Sequence, residues 1–438
     1  MLLNAADKAL WRLALPMIFS YITVPLLGLV DTAVIGHLDS PVYLGGVAVG
    51  ATAASFLFML LLFLRMSTTG LTAQAWGAKD PQRLARALVQ PLALALGAGV
   101  LIILLRLPLI DLALHIVGGS EAVLEQARRF LEIRWLSAPA SLANLVLLGW
   151  LLGVQYARAP VILLVVGNLL NIVLDLWLVM GLRMNVQGAA LATVTAEYAT
   201  LIIGLLMAKR VLTLRGVSLA MLKNAWRGDL RRLLALNRDI MLRSLLLQLC
   251  FGALTVFGAR LGSDIVAVNA VLMTMLTFTA YALDGFAYAV EAHSGQAYGA
   301  RDGSQLLEVW RAACRQSGMV ALAFALIYSL AGQYIIALLT SLPSLQQLAD
   351  RYLIWQTILP VVGVWCYLLD GMFIGATRGA EMRNSMAVAA AGFAVTLLTL
   401  PVLGNHGLWL ALAVFLALRG LSLALIWRRH WRRGTWFS

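Results

Sequence analysis

Charge is what this chain lacks most: only 12% of its 438 residues are Asp, Glu, Lys or Arg, and only 20 are acidic. Cysteine is nearly absent too. The three that occur, Cys250, Cys314 and Cys366, have no metal-ligand spacing and read as small apolar residues, which excludes a disulfide framework. There is no Gly-rich loop ending in Gly-Lys-Ser/Thr, so ATP hydrolysis within the chain is not expected. No Asp-rich prenyl-diphosphate motif, G-x-S-x-G elbow or His-Glu-x-x-His zinc helix appears, and His37, His115, His293, His406 and His430 are scattered toward segment ends. A membrane-embedded enzyme is therefore the weakest of the functional readings, and no cofactor is called for.

What fills the sequence instead is hydrocarbon: 61% of residues are hydrophobic, and the mean hydropathy is +0.87. That composition belongs to an integral membrane protein. Apolar runs of about twenty residues, the length a helix needs to cross the bilayer, recur at 9–36, 43–64, 88–110, 131–153, 160–182, 186–208, 240–259, 265–291, 318–340, 352–375, 384–403 and 406–427. The expected fold is all-α, with twelve transmembrane helices. The first run is too long for a signal peptide and reads as a retained helix.

The net charge of +13 is placed as a membrane places it, not as a nucleic acid would require. With both termini cytoplasmic, the inner side collects Lys8, Arg12, Arg65, Lys79, Arg83, Arg86, Arg158 and the basic stretch 209–238, while the other side keeps Arg106, Arg128, Arg129, Arg134, Arg183, Arg260 and Arg351. This is the positive-inside bias. The tail, IWRRHWRRGTWFS, reads either as an interfacial anchor on anionic lipid or as a solvated basic end.

The halves repeat. TAQAWGAKD from Thr72 returns as SGQAYGARD from Ser294, and the same displacement of 222 relates Arg129-Phe130-Leu131 to Arg351-Tyr352-Leu353 and Gly153 to Gly375. The chain divides accordingly into a first lobe (1–208), a basic linker (209–238) and a second lobe with its tail (239–438). Six spans per lobe make the repeat parallel, with a pseudo-twofold axis along the membrane normal and a cavity expected between lobes.

The intramembrane acids do not repeat. Asp31 maps onto Ala253, Asp175 onto Leu397, Asp284 onto Leu62 and Asp370 onto Leu148. A charged group at the bilayer centre costs at least about 2.5 kcal/mol, so each such acid is a functional candidate. Asp31 stands in LLGLVDTAVIGHL, with a protonated, hydrogen-bonded acid as its structural alternative. Asn171 and Asp175 in NLLNIVLD, and Thr193 and Glu197 in GAALATVTAEY, are each one turn apart on one helix face. Their oxygens suit a proton or a hard cation such as sodium. For Asn171 and Thr193 alone, interhelical hydrogen bonding serves as well. Asp284, seven residues before Glu291, and Asp370, both in Leu-Asp-Gly triplets, are cavity candidates or braces of a glycine-broken helix. Arg243 is placed to pair with Asp239, four residues earlier. Pro16 and Pro25 favour bends in the first helix.

Twelve helices in two parallel lobes, VDTAVIGHL after a proline-containing helix, the TAQAWGAKD and SGQAYGARD pair, and NIVLD followed by GAALAT together resemble the multidrug and toxic compound extrusion (MATE) transporters, and the Leu-Asp-Gly pair is similar to their DinF-type branch. The resemblance implies a monomeric inner-membrane exporter that exchanges an incoming proton or sodium ion for an outgoing organic, often cationic, small molecule. It places the cation site at Asp31, Asn171, Asp175 and Thr193 and the hinge at Pro16; Asp284, Asp370 and Glu197 stay substrate-cavity candidates on the reading of the residues themselves. The NorM-type branch has an acidic pair in its seventh and tenth helices. Here the seventh offers Gln248 and Arg243 and the tenth only Asp370, so no second-lobe sodium site is expected. A flippase for lipid-linked precursors, from the same broader superfamily, is the rival within transport; it calls for a more basic cavity.

Overall fold

The computed structural model describes residues 3–36, 38, 41–228 and 230–438, the side chains of 25, 26, 28, 29, 31, 32 and 36 excepted. The long helices are α1 (Ala5–Gly36), α2 (Pro41–Gly77), α3 (Pro81–Leu104), α4 (Glu121–Gly153), α5 (Arg158–Gly181), α6 (Asn185–Leu214), α7 (Leu230–Leu261), α8 (Ser263–Gly299), α9 (Gly303–Leu339), α10 (Pro343–Gly375), α11 (Gly379–Leu403) and α12 (Asn405–Arg433). Helices are what hydrocarbon permits, because every backbone polar group finds its partner within the segment. Among the described residues, α2 to α12 are the eleven helices long and apolar enough to cross a membrane. Together with α1 they correspond to the twelve spans expected from sequence. Short helices, Arg106–Val117 and Leu219–Asn224, follow α3 and α6.

The chain forms two compact units, Phe19–Leu233 and Met1–Ile18 with Leu234–Ser438. The first eighteen residues therefore go with the second unit, although the sequence alone groups them with the first lobe. Side-chain chemistry explains it. Asp7 pairs with Arg315 at 3.0 Å, Trp11 Nε1 donates to Gln316 Oε1 at 2.9 Å, and the Ala9 carbonyl lies 3.2 Å from His293 Nε2. Gly285 makes room for Ile18: a Cβ there would lie 2.3 Å from Ile18 Cγ1.

Each unit repeats the other in detail. α2 ends in a Schellman turn, with Lys79 at φ 53° and bonds from Asp80 N to Ala75 O (3.2 Å) and Lys79 N to Trp76 O (3.1 Å). α8 ends the same way, with Arg301 at φ 52° and bonds from Asp302 N to Ala297 O (3.0 Å) and Arg301 N to Tyr298 O (3.1 Å). Asp80 and Asp302 then cap α3 and α9 through their side chains.

Packing repeats as well. A Cβ on Gly149 of α4 would lie 2.6 Å from the Arg65 carbonyl oxygen of α2, and one on Gly371 of α10 would lie 2.7 Å from the Ala287 carbonyl oxygen of α8. One turn on, Gly153 meets Thr72 and Gly375 meets Ser294. All four pairs are related by the displacement of 222. Gly-x-x-x-Gly spacing lets two helix backbones approach closely, and it sets α4 and α10 at the centre of their units. In the most apolar eighteen residues of each, 83% and 72% are buried, against 50% or less in the other candidate spans.

The tail is neither lipid anchor nor solvated end at its last tryptophan. The chain reverses at Gly434, φ 66°, and Arg378 donates to the Thr435 and Trp436 carbonyls, both at 2.9 Å. Trp436 is buried under that guanidinium, 4.9 Å from its ring centre.

Substituting Gly149→Val or Gly371→Val forces the glycine contact apart and should cost at least about 1–3 kcal/mol of stability. Thermal unfolding of the detergent-purified protein measures it. Gly252→Ala, where a Cβ meets open space, should leave the unfolding temperature unchanged or slightly raised.

Candidate functional site

α5 is not a regular helix. Val161–Val166 and Leu176–Gly181 are wound as π-helix, and only Gly167–Asp175 between them is α-helical. π turns are rare and concentrate at functional sites. The α-helical piece presents Asn168, Asn171 and Asp175 along one face, at spacings of three and four residues.

Asn171 is 4% exposed and Asp175 is fully buried. Asn171 Nδ2 donates to Thr193 Oγ1 of α6 at 3.3 Å, and that hydroxyl donates onward to the Ala189 carbonyl at 3.2 Å. This order fixes the amide: with the Thr193 proton committed, Asn171 must present its NH2 there. Its Oδ1 is then left buried with no hydrogen-bond partner among the described residues. A buried carbonyl oxygen without a donor is costly, and it is suited to receive an O–H or a cation. Asn171 and Thr193 thus meet across α5 and α6, with Asp175 one turn from Asn171 on the same face of α5. The side chain of Asp31 and residue His37 lie outside the described residues.

Glu197 turns elsewhere. Asn144 of α4 donates through Nδ2 to its Oε2 (2.9 Å) and to its backbone carbonyl (3.0 Å), so this carboxylate is drawn against α4 rather than toward Thr193. Two amides were missed from sequence. One is Asn144, alone in the apolar run SLANLVLLGW; the other is Asn168, whose Nδ2 donates to Thr23 Oγ1 of α1 at 2.7 Å. The available signals were a lone amide in an apolar run for Asn144 and, for Asn168, its spacing of three residues from Asn171 on one helix face. Thr23 in turn donates to the Ser20 carbonyl at 2.6 Å. Pro16 lies inside α1, which continues through it as helix. Arg65, read from sequence as an inner-surface charge, is 1% exposed, with NH1 3.3 Å from Thr69 Oγ1.

The second unit builds a different site. Asp370 Oδ2 on α10 accepts from Arg243 of α7 at 2.7 Å and also from Arg419 of α12. All three side chains are buried. This overturns the local pairing of Arg243 with Asp239, which instead binds Arg238 and Arg383. Arg419 went unnoticed within the apolar run of α12. Asp284 of α8 shares the neighbourhood, since the charges of Asp284 and Asp370 both act on Cys366 and Tyr367. Among the described residues no group of three or more His, Cys, Asp or Glu is placed to hold a metal ion.

The sequence pattern of the MatE family matches residues 16–177 and 240–403. The chain is 87% identical over 436 residues to DNA damage-inducible protein F of Escherichia coli strain K12, covering 100% of this chain and 95% of that protein. It is 23% identical to the probable multidrug resistance protein NorM of Acinetobacter baylyi, covering 96% of this chain and 94% of that protein. Two solved structures share its fold at 23% identity, each matching 98% of this chain and 96% of its own. One is a MOP superfamily transporter from Pyrococcus furiosus, at a TM-score of 0.85. The other is an outward-facing multidrug resistance MATE family transporter, at 0.84.

Removing the acid from the second-unit cluster leaves two guanidiniums buried together. Asp370→Asn should therefore destabilise the protein by about 3–5 kcal/mol, visible as a lower unfolding temperature in detergent. Asp284→Asn, which leaves both Asp370 contacts in place, should shift it far less.

Proposed function

From the premise that this chain belongs to the MatE family of multidrug and toxic compound extrusion transporters, in its DinF-type branch, we propose that it is a proton-coupled antiporter exporting organic, often cationic, compounds. It works as a monomer in the inner membrane, with both termini in the cytoplasm, and converts no substrate chemically. The observation that carries the reading is the buried Oδ1 of Asn171, left without a donor one turn from the fully buried Asp175. A carboxyl group that gains a proton there becomes the missing O–H donor.

Asp31 belongs to the same site by arithmetic. Thr23 is tied to Asn168, and α1 and α5, both odd-numbered spans, run in one direction. From that tie position 31 is eight residues on and position 175 seven, advances of about 12 and 10.5 Å along their helices, so the two positions come at matching heights along α1 and α5. Like charges in one pocket favour sharing a proton. Sodium would draw on the same oxygens, but Thr193 already donates its proton to Ala189 and accepts from Asn171, which leaves it a weak extra ligand.

Transport follows when the loaded and empty sites favour different arrangements of the two lobes. Pro16 is the proposed hinge: the division between the units falls two residues beyond it, between Ile18 and Phe19. Asp284 and Glu197 are left as cavity-lining candidates. Asp370 joins them only when released from its two arginines. Those arginines favour an anionic lipid-linked cargo, but Asp370 engages both.

Dye efflux from proteoliposomes under separately imposed proton and sodium gradients tests the reading. Asp31→Asn and Asp175→Asn should abolish proton-driven efflux while the protein still inserts and folds. Thr193→Ala should retain most of it. If Thr193→Ala removes transport and sodium protects the wild type against thermal unfolding, sodium replaces the proton as coupling ion.

A further inference from the structure

Arg428, Arg429, Arg432 and Arg433 crowd the last two turns of α12, and the transport reading uses none of them. All four are exposed, and among the described residues none is held in an ion pair. The partial charge at the C-terminus of a helix, about −0.5 of an elementary charge, offsets only a small part of theirs.

Their direction is set by the other side of the helix, within the unit that holds Leu234–Ser438. Trp427 packs against Trp310 of α9 with ring centres 5.7 Å apart. Trp431 closes on Gly303, the first residue of α9, where a Cβ would lie 3.3 Å from its ring. His430 Nε2 lies 2.8 Å from Glu381 Oε1 of α11, and the same oxygen accepts from Arg378, so that acid is already taken up. With its aromatic side held in this way α12 cannot roll, and the arginines are left facing outward.

What they face is legible one turn below. Leu421 and Leu425 of the same helix are each 56% exposed, and on a membrane-spanning helix such leucines meet acyl chains. Positions 421, 425, 428 and 432 follow at steps of four, three and four, which trace one stripe along a helix. The apolar run 406–427 is about 33 Å long, close to the thickness of the hydrocarbon. Arg428 is therefore the first residue beyond it, and Arg432 stands about 6 Å further out. The stripe passes from leucine to guanidinium at the depth of the headgroups, and the planar fork of arginine matches phosphate oxygens.

We propose that this stripe docks an anionic phospholipid, its acyl chains along Leu421 and Leu425 and its phosphate on Arg428 and Arg432, with Arg429 and Arg433 flanking. Salt screens exposed charge in open water, but the surface potential of anionic lipid acts within a Debye length of the headgroups, where these arginines stand.

Proteoliposomes of phosphatidylcholine holding the full-length protein are doped with phosphatidylglycerol or phosphatidylcholine that carries a photoactivatable group on its acyl chain, and after irradiation the labelled peptides are located by mass spectrometry. At low ionic strength phosphatidylglycerol should label the peptide containing Leu421 and Leu425 about fivefold more than phosphatidylcholine does, and added salt should shrink the excess. Arg428→Gln combined with Arg432→Gln should erase the excess while labelling by phosphatidylcholine stays as in the wild type, which shows the helix still in place. Arg428→Lys combined with Arg432→Lys should keep most of it, because the attraction is one of charge. Lys223→Gln combined with Arg227→Gln removes two exposed charges elsewhere and should leave it unchanged. Equal labelling of the wild type by the two lipids leaves the arginines to water or to an acidic protein and overturns the proposal, as does an excess that survives Arg428→Gln combined with Arg432→Gln.

Discussion

The contact on which each unit depends is glycine against a neighbouring backbone, Gly149 on the Arg65 carbonyl and Gly371 on the Ala287 carbonyl. Between membrane helices there is no hydrophobic drive, so close packing and hydrogen bonds must hold them together. Once the backbones of α2 and α4 touch, polar groups reach across: Thr69 Oγ1 lies 2.9 Å from the Arg65 carbonyl and 3.1 Å from that of Gly149. The central helices are fixed by this approach, and the outer helices then have a buried surface to pack on.

On that repeated frame the two units install opposite electrostatics. Position 148 is leucine where 370 is aspartate, 65 is arginine where 287 is alanine, and 175 is aspartate where 397 is leucine. Asp370 is held by two guanidiniums. Asp175 instead stands one turn from an amide oxygen that lacks a donor. Asp370 already meets two donors, whereas Asp175 stands beside an acceptor that lacks one. That contrast is the physical ground on which the proposed coupling site is placed in one lobe.

Composition and spacing carried the spans, the repeat and the common face of Asn171 and Asp175 on α5, because each rests on short-range pattern: the length of an apolar run, a constant offset, one helical turn. What escaped was long-range. Arg243 was assigned to Asp239 because that acid is four residues away, yet its partner is 127 residues distant. Arg419 and Asp370 come from different helices, and one arginine in an apolar run hardly changes its hydropathy. Glu197 has the right spacing to join Thr193, but Asn144 of α4 competes for it. Sequence spacing names the candidates, and only packing decides between competing partners.

The same lesson governs α1, whose two ends answer to different partners. Its first turns are held by Arg315 and Gln316, and Thr23 is held by Asn168 at 2.7 Å. Between the two anchorages lies Pro16, which has no N–H to give the Arg12 carbonyl and so removes one rung of the helix. Asn168 is on the face of α5 that carries Asn171 and Asp175, so the proposed site and α1 share a hydrogen-bonded contact through Thr23. Strain entering there is absorbed most cheaply at the missing rung, seven residues back. On the proposed proton reading, that single hydrogen bond is the route from α5 to α1, and the missing rung at Pro16 is where the helix is weakest.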